Sequence, residues 1–143
     1  MEYYSSVQLN DLPDEIIFFI LKKLNKLDVL YSFIGVNKRF NRIVRESIFT
    51  HKLTLFNYLS CDCIYPLSDL MLDRYCLQIL PKIGHKIKWL DLEPLSMQRI
   101  LLSVNYPNVF GFGIYNIEKQ AVLNLFNGKV FLFRFILIID ILK

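Results

Sequence analysis

Apolar residues in the first third of the chain recur at helical spacing, and the polar residues between them mark where helices start and stop. Ile16, Ile20 and Leu24 stand four residues apart, and Ile17, Leu21 and Leu24 form a second stripe beside them. A helix apolar on two adjoining faces can turn one face into a small bundle and leaves the other for something external to cover. Asp11 is expected to cap this helix, with Pro13 in its opening turn, where a missing N–H costs nothing. Asp14 and Glu15 then sit at the positive end of the macrodipole, and Lys22 and Lys23 at the negative end. Asp28 is the expected N-cap of a second helix, Val29 to Ile34, which Gly35 ends. A third helix from about Asn37 carries Phe40, Ile43 and Val44 on one side and Lys38, Arg42 and Arg45 on another.

From Lys52 the pattern changes. Lys52 to Leu55 reads as a short strand and Asn57 to Pro66 as irregular. Ser68 is the expected cap of a helix that runs through Tyr75 to Leu80 and stops at Pro81. A repeat follows. Ile87, Leu90 and Leu92 are answered 22 residues later by Val109, Phe112 and Ile114, and Ile100, Leu101 and Val104 by Val122, Leu123 and Phe126. Ile79, Leu80 and Ile83 make a weaker copy 21 residues before. A strand-then-helix unit of this length is the leucine-rich-repeat pattern. Such repeats usually place Asn or Cys three residues after the last strand leucine, to satisfy backbone groups at the turn; Leu95 and Ile117 stand there instead. The units are therefore divergent, and a small α/β domain is the alternative.

The apolar stretch Val130 to Leu142 spans 13 residues and contains Arg134 and Asp140. A membrane-spanning helix needs about 20 apolar residues, so this segment reads as strand or buried core and no membrane partner is expected. Beyond Asn127-Gly128 the 22-residue frame fails, because Arg134 would fall on a core position. A truncated or mispredicted gene model, without target-binding function, is one reading of that failure.

The net charge is +4, and all of it lies between Asn37 and Lys52, where Lys38, Arg39, Arg42, Arg45 and Lys52 face Glu46 alone. Such a segment can meet phosphate, an acidic partner or water. Cys61, Cys63 and Cys76 are an odd number, and the start Met1-Glu2-Tyr3-Tyr4 has neither a basic nor an apolar leader region. Reduced thiols in cytoplasm or nucleus are the simpler expectation. Cys61, Cys63, Cys76, His51 and His85 lack the paired spacing of a zinc site, and no nucleophile elbow, phosphate loop or dinucleotide glycine motif appears. No catalytic residue, cofactor or metal is expected, and the chain reads as a non-enzyme.

One run of residues carries a resemblance. Leu12-Pro13-Asp14-Glu15-Ile16-Ile17, then Ile20, Leu24, Asp28-Val29-Leu30 and Val36-Asn37-Lys38-Arg39-Phe40, resembles the F-box. Phe40 stands where the family often has Trp, and the second helix carries an apparent extra residue around Phe33-Ile34. The resemblance implies a three-helix F-box that docks on the Skp-type adaptor subunit of a cullin ubiquitin ligase. Its adaptor-binding positions carry over to Leu12, Pro13, Ile16, Ile20, Val36, Arg39 and Phe40, while Ile17, Leu21, Leu30 and Ile43 are expected to pack internally. The expected fold is a three-helix F-box followed by a short, incomplete leucine-rich-repeat-like strand–helix array (α + α/β). Its divisions are an N-terminal tail over 1–8, the F-box over 9–55, a connector with a helix over 56–86, repeats over 87–128 and an apolar tail over 129–143. The implied function is recruitment of an unidentified protein target to the ligase, without nucleic acid. Nucleic-acid binding through the basic helix and a scaffold role outside any ligase stay open as alternatives.

Overall fold

The computed structural model describes residues 7–58, 63–117 and 136–141. Leu9–Asp11 make one 3-10 turn, and four helices follow: α1 (Asp14–Lys22), α2 (Lys26–Phe33), α3 (Lys38–Val44) and α4 (Ser47–Thr50). Two caps differ from expectation. Asp11 closes the preceding turn, accepting from the Gln8 N–H at 2.9 Å, and Pro13 itself stands at the N-cap of α1. Asn25 rather than Asp28 caps α2, its side chain accepting from the Leu27 N–H at 2.9 Å. The helix therefore begins at Lys26 and Asp28 sits in its first turn, where a carboxylate still meets the positive end of the macrodipole. Gly35 ends the segment with φ 87°, a left-handed conformation that a side chain would strain, and its N–H donates to Asn41 at 2.6 Å. The third helix begins where expected, and Asn37 caps it, accepting from the Phe40 N–H at 2.8 Å.

The helices bury Ile17, Leu21, Leu30 and Ile43, and the core continues without a break through Leu53, Leu72, Tyr75, Ile79 and Leu90. Full burial of each such side chain is worth about 1.5–3 kcal/mol. The N-terminal helices and the remainder share this core. Tyr75 is fully buried and its hydroxyl donates to the Leu27 carbonyl, while Arg74 donates to the Tyr31 carbonyl at 2.9 Å and the Ile34 carbonyl at 3.0 Å.

Those two residues lie on a helical segment that Ser68 caps: α5 (Asp69–Arg74), one wider π-helical turn over Tyr75–Ile79, and α6 (Leu80–Ile83). Pro81 does not stop the helix. It falls in the first turn of α6, after the wider turn has closed with the Leu80 N–H on the Tyr75 carbonyl, so its missing N–H breaks no ladder bond.

The strands are β1 (Lys52–Thr54), β2 (Asn57–Tyr58), β3 (Ile64–Tyr65), β4 (Trp89–Leu92), β5 (Gly111–Ile117) and β6 (Ile136–Ile141). β2 and β3 pair antiparallel inside the stretch expected to be irregular. The others form one sheet in the order β1-β4-β5-β6, and each neighbouring pair is parallel. Leu90 pairs with Phe112 and Leu92 with Ile114, so the 22-residue offset in the sequence is the pairing register of β4 and β5. Leu53, Leu55, Leu90, Leu92, Phe112 and Ile114 are buried on one sheet face. β4 and β5 are joined across α7 (Pro94–Ser103), whose Ile100 is also buried.

Glu93 takes the position-satisfying part that the repeat pattern gives to Asn or Cys. It is buried, and its carboxylate accepts from the Leu95 and Ser96 N–H groups at 2.7 Å each, capping α7. β6 covers six residues of the tail expected to be a strand, but in a different frame: Gly111 pairs with Ile136, and the register slips between Ile114 and Ile117. The second helical triad, Val122, Leu123 and Phe126, lies outside the described residues. The described architecture is α+β, a helical N-terminus followed by a small sheet and helices.

Candidate functional site

The first helix keeps the apolar stripe that its sequence promised. Ile16, Phe19, Ile20 and Leu24 are between 37% and 57% exposed, while Ile17 and Leu21 on the adjoining face are buried. Spacing of three and four residues puts Ile16, Phe19 and Ile20 side by side on one helical face. Phe19 completes that stripe, and the four-residue spacing of Ile16, Ile20 and Leu24 did not single it out. Lys23 lies 4.4 Å from its ring centroid, a cation over an exposed aromatic face.

The turn ahead of the stripe is fixed by Arg39. Its Nε donates to Asp14 Oδ1 at 2.5 Å, one terminal nitrogen donates to the Asn10 carbonyl at 2.6 Å, and the other to the Leu12 carbonyl. Arg42 donates to the second oxygen of Asp14 at 2.6 Å. Five planar donors on one guanidinium suit such a multiple anchor, which an ammonium could not reproduce. The same bond from Arg39 is the chief reason that the Asp14 carboxyl is held below its ordinary pKa. Pro13 is exposed beside this anchor, and Leu12 is half-buried against the core.

The seven positions expected to meet an adaptor therefore divide. Ile16, Ile20 and Pro13 are open to a partner, and Leu12 partly so. Arg39 is partly exposed and acts inward, as a clamp on the Leu12-Pro13 turn. Val36 is exposed but lines a separate hollow of about 530 Å³ with Arg74, Leu77 and Pro81. Phe40 is 3% exposed, its ring centroid 5.1 Å from that of Phe33 and tilted against it inside the helical core, because α3 turns its Phe40–Ile43–Val44 side inward. In this conformation it offers no contact surface.

The basic segment is less available than its charge suggests. Arg39 and Arg42 are both bonded to Asp14, and Arg45 is half-buried with its Nε lacking a hydrogen-bond partner among the described residues. Cys63 is exposed, Cys76 is buried and Cys61 lies outside the described residues. Among the described residues no three His, Cys, Asp or Glu side chains gather at a metal-binding distance, and no helix is long and apolar enough to cross a membrane.

Comparison with protein families matches residues 9–52 to the F-box domain. No curated protein and no solved structure matches the chain. The matched span opens at the 3-10 turn that Arg39 clamps and closes at the first residue of β1. Such domains typically bind Skp-type adaptors and suggest an adaptor part in a ubiquitin ligase rather than an enzymatic one. The helical N-terminal third of this chain is an F-box domain.

Proposed function

We propose that this chain is a substrate-recruiting adaptor subunit of a Skp–cullin–F-box ubiquitin ligase. It docks through the F-box, and the sheet-bearing part beyond Leu55 holds a target protein. The observation that carries the reading is the uncovered stripe of Ile16, Phe19 and Ile20 on the helix that the F-box match spans. A monomeric helix leaves such a stripe in water at a cost that a partner helix or groove relieves. Divergent leucine-rich units over 87–128 remain the reading of the distal part that best explains why the sequence offset and the strand register coincide. The chain's own contribution is effective concentration: it keeps a target lysine near the charged ubiquitin carrier while other subunits do the chemistry.

Affinity purification of the tagged full chain from cells tests this. The adaptor and the cullin should co-purify, and a double variant Ile16→Asp and Ile20→Asp should lose both while keeping its far-UV spectrum, since both positions already face solvent. Adaptor retained by that folded variant would remove the α1 stripe from the docking face. Adaptor recovered without cullin would favour a scaffold role outside the ligase.

A further inference from the structure

We propose that a hollow where β1, β4 and β5 begin is a docking site for an acidic peptide segment with an apolar anchor. The claim deepens the reading just given, since the peptide would belong to the recruited target, but the binding itself stands without any ligase. Backbone bonds bring the site together. The Lys88 and Trp89 N–H groups both donate to the His51 carbonyl, at 2.8 and 3.0 Å, and the Phe110 N–H donates to the Lys88 carbonyl at 3.0 Å. His51, Lys52, Lys88, Trp89 and Phe110 thereby line one hollow of about 420 Å³.

Its floor is aromatic and held in place. The Trp89 and Phe110 rings stand 5.7 Å apart, and the Trp89 indole N–H donates to Asp91 at 2.7 Å, which fixes the ring. Phe110 is half exposed although the chain has a large core in which to bury it. A rigid, half-open aromatic pair is the kind of surface that carries binding energy at interfaces.

Its rim is cationic. Lys52 and Lys88 are exposed, and Lys52 also borders an adjoining hollow of about 460 Å³ that Lys26 and Tyr58 share. No described residue lining either hollow is acidic. Asp91 lies beneath, buried and already accepting from Thr54 and Trp89, with Lys52 at 3.9 Å. Lys26 and Lys88 thus face solvent without an ion pair among the described residues, and Lys52 between them reaches only the buried Asp91. Carboxylates on a partner complement that rim, which favours encounter and register. The two rings are inclined at 58°, so they form a notch for one apolar side chain rather than parallel faces between which a nucleobase would stack.

The test uses the full chain and a fluorescein-labelled Glu-rich peptide with one central Leu, read by fluorescence anisotropy. A Lys-rich counterpart and a labelled oligothymidylate are run beside it. The Glu-rich peptide should bind, the Lys-rich one should not, and added salt should weaken the complex. Trp89→Ala should lower affinity by about tenfold or more, as loss of an interface anchor does. Because Trp89 also bonds Asp91, the exposed pair Lys26→Glu and Lys88→Glu, neither in an ion pair among the described residues, provides a second variant that keeps the fold and should lose the Glu-rich peptide. Equal binding of the two peptides, tighter binding of oligothymidylate, or unchanged affinity in the folded Lys26→Glu, Lys88→Glu chain would each overturn the proposal. Failure here leaves adaptor co-purification untouched, and loss of adaptor binding leaves this measurement untouched.

Discussion

Asp91 and Gly113 are register partners on adjacent parallel strands, and a Cβ on Gly113 would fall inside contact distance of the Asp91 carboxylate. The ring of Tyr115 closes the same space from the other side. Asp91 is buried there because Thr54 and Trp89 satisfy its oxygens, at 3.0 and 2.7 Å. Glycine is thus the residue that lets a carboxylate sit in mid-sheet.

Gly113→Ala should therefore destabilise the chain by about 1–3 kcal/mol, the usual effect of forcing an atom into a packed site. Asp91→Ala opens the space and should make the second change cheaper, so the two effects should not add. Urea unfolding of the two single variants and the double variant measures this. Strict additivity would mean that the pair does not compete for one volume.

The sequence was most legible where spacing and burial coincide. Ile17 and Leu21 are buried and Ile16 and Ile20 exposed, as two apolar stripes on one helix require. The 22-residue offset was visible as a repeat, and parallel pairing turns it into strand register. Local chemistry was harder to assign. Asn25 and Asp28 are both good caps, three residues apart, and spacing alone does not say that the Asn25 side chain is the one that accepts from the Leu27 N–H. Pro81 is a helix stop unless a wider turn precedes it, and nothing in the pattern announces that turn. Phe40 belongs to a motif associated with docking, yet helical spacing from Ile43 and Val44 already pointed it inward. The notch of Trp89 and Phe110 depends on three strand ends meeting, which no local window contains.

The hydroxyl of Tyr75 ties the distal helix to the F-box through the Leu27 carbonyl. Burial pushes its pKa well above the usual tyrosine range, so it stays a donor at any ordinary pH. Tyr75→Phe keeps the ring and leaves the carbonyl without that partner in a dry site. The expected loss is about 1–3 kcal/mol, and a single cooperative transition should persist in thermal unfolding followed by circular dichroism. A biphasic melt in the variant would show that the two parts unfold independently and that the shared core couples them only through this bond.

Acid should weaken the clamp on the Leu12-Pro13 turn. The bond from Arg39 holds Asp14 below its ordinary value of 3.8, so its folded pKa is lower than its unfolded one. A depressed carboxylate contributes stability that is fully present above the unfolded pKa and is lost as pH falls through the folded pKa. The contribution should thus be intact at pH 5 and above and fade below about pH 4. Asp14→Asn should be less stable near neutrality and should show a shallower loss between those pH values, measured by urea midpoints across pH. An identical slope in both proteins would mean that Arg39 and Arg42 do not favour the charged form of Asp14.

The last strand decides whether the tail belongs to the fold. β6 lies parallel beside β5, pairing Gly111 with Ile136 through Ile114 with Ile139. Ending the chain after Asn127 removes that strand and leaves the N–H and C=O groups along one side of β5 without partners. An exposed, β-prone edge is a template for association with other chains. The sequence alone suggests the opposite outcome, because Val130 to Leu142 is nearly uncharged, free of proline and itself prone to aggregate. Pairing reverses that expectation, since the same residues close the edge they would otherwise seek. The chain shortened to residues 1–127 should therefore scatter more light and lose solubility relative to the full chain at equal concentration. Its F-box helices should persist, because Ile17, Leu30 and Val44 at their centre lie in the N-terminal part of the shared core. Improved solubility on shortening, with an unchanged melting temperature, would place the tail outside the folded core and leave β5 as the natural edge of the sheet.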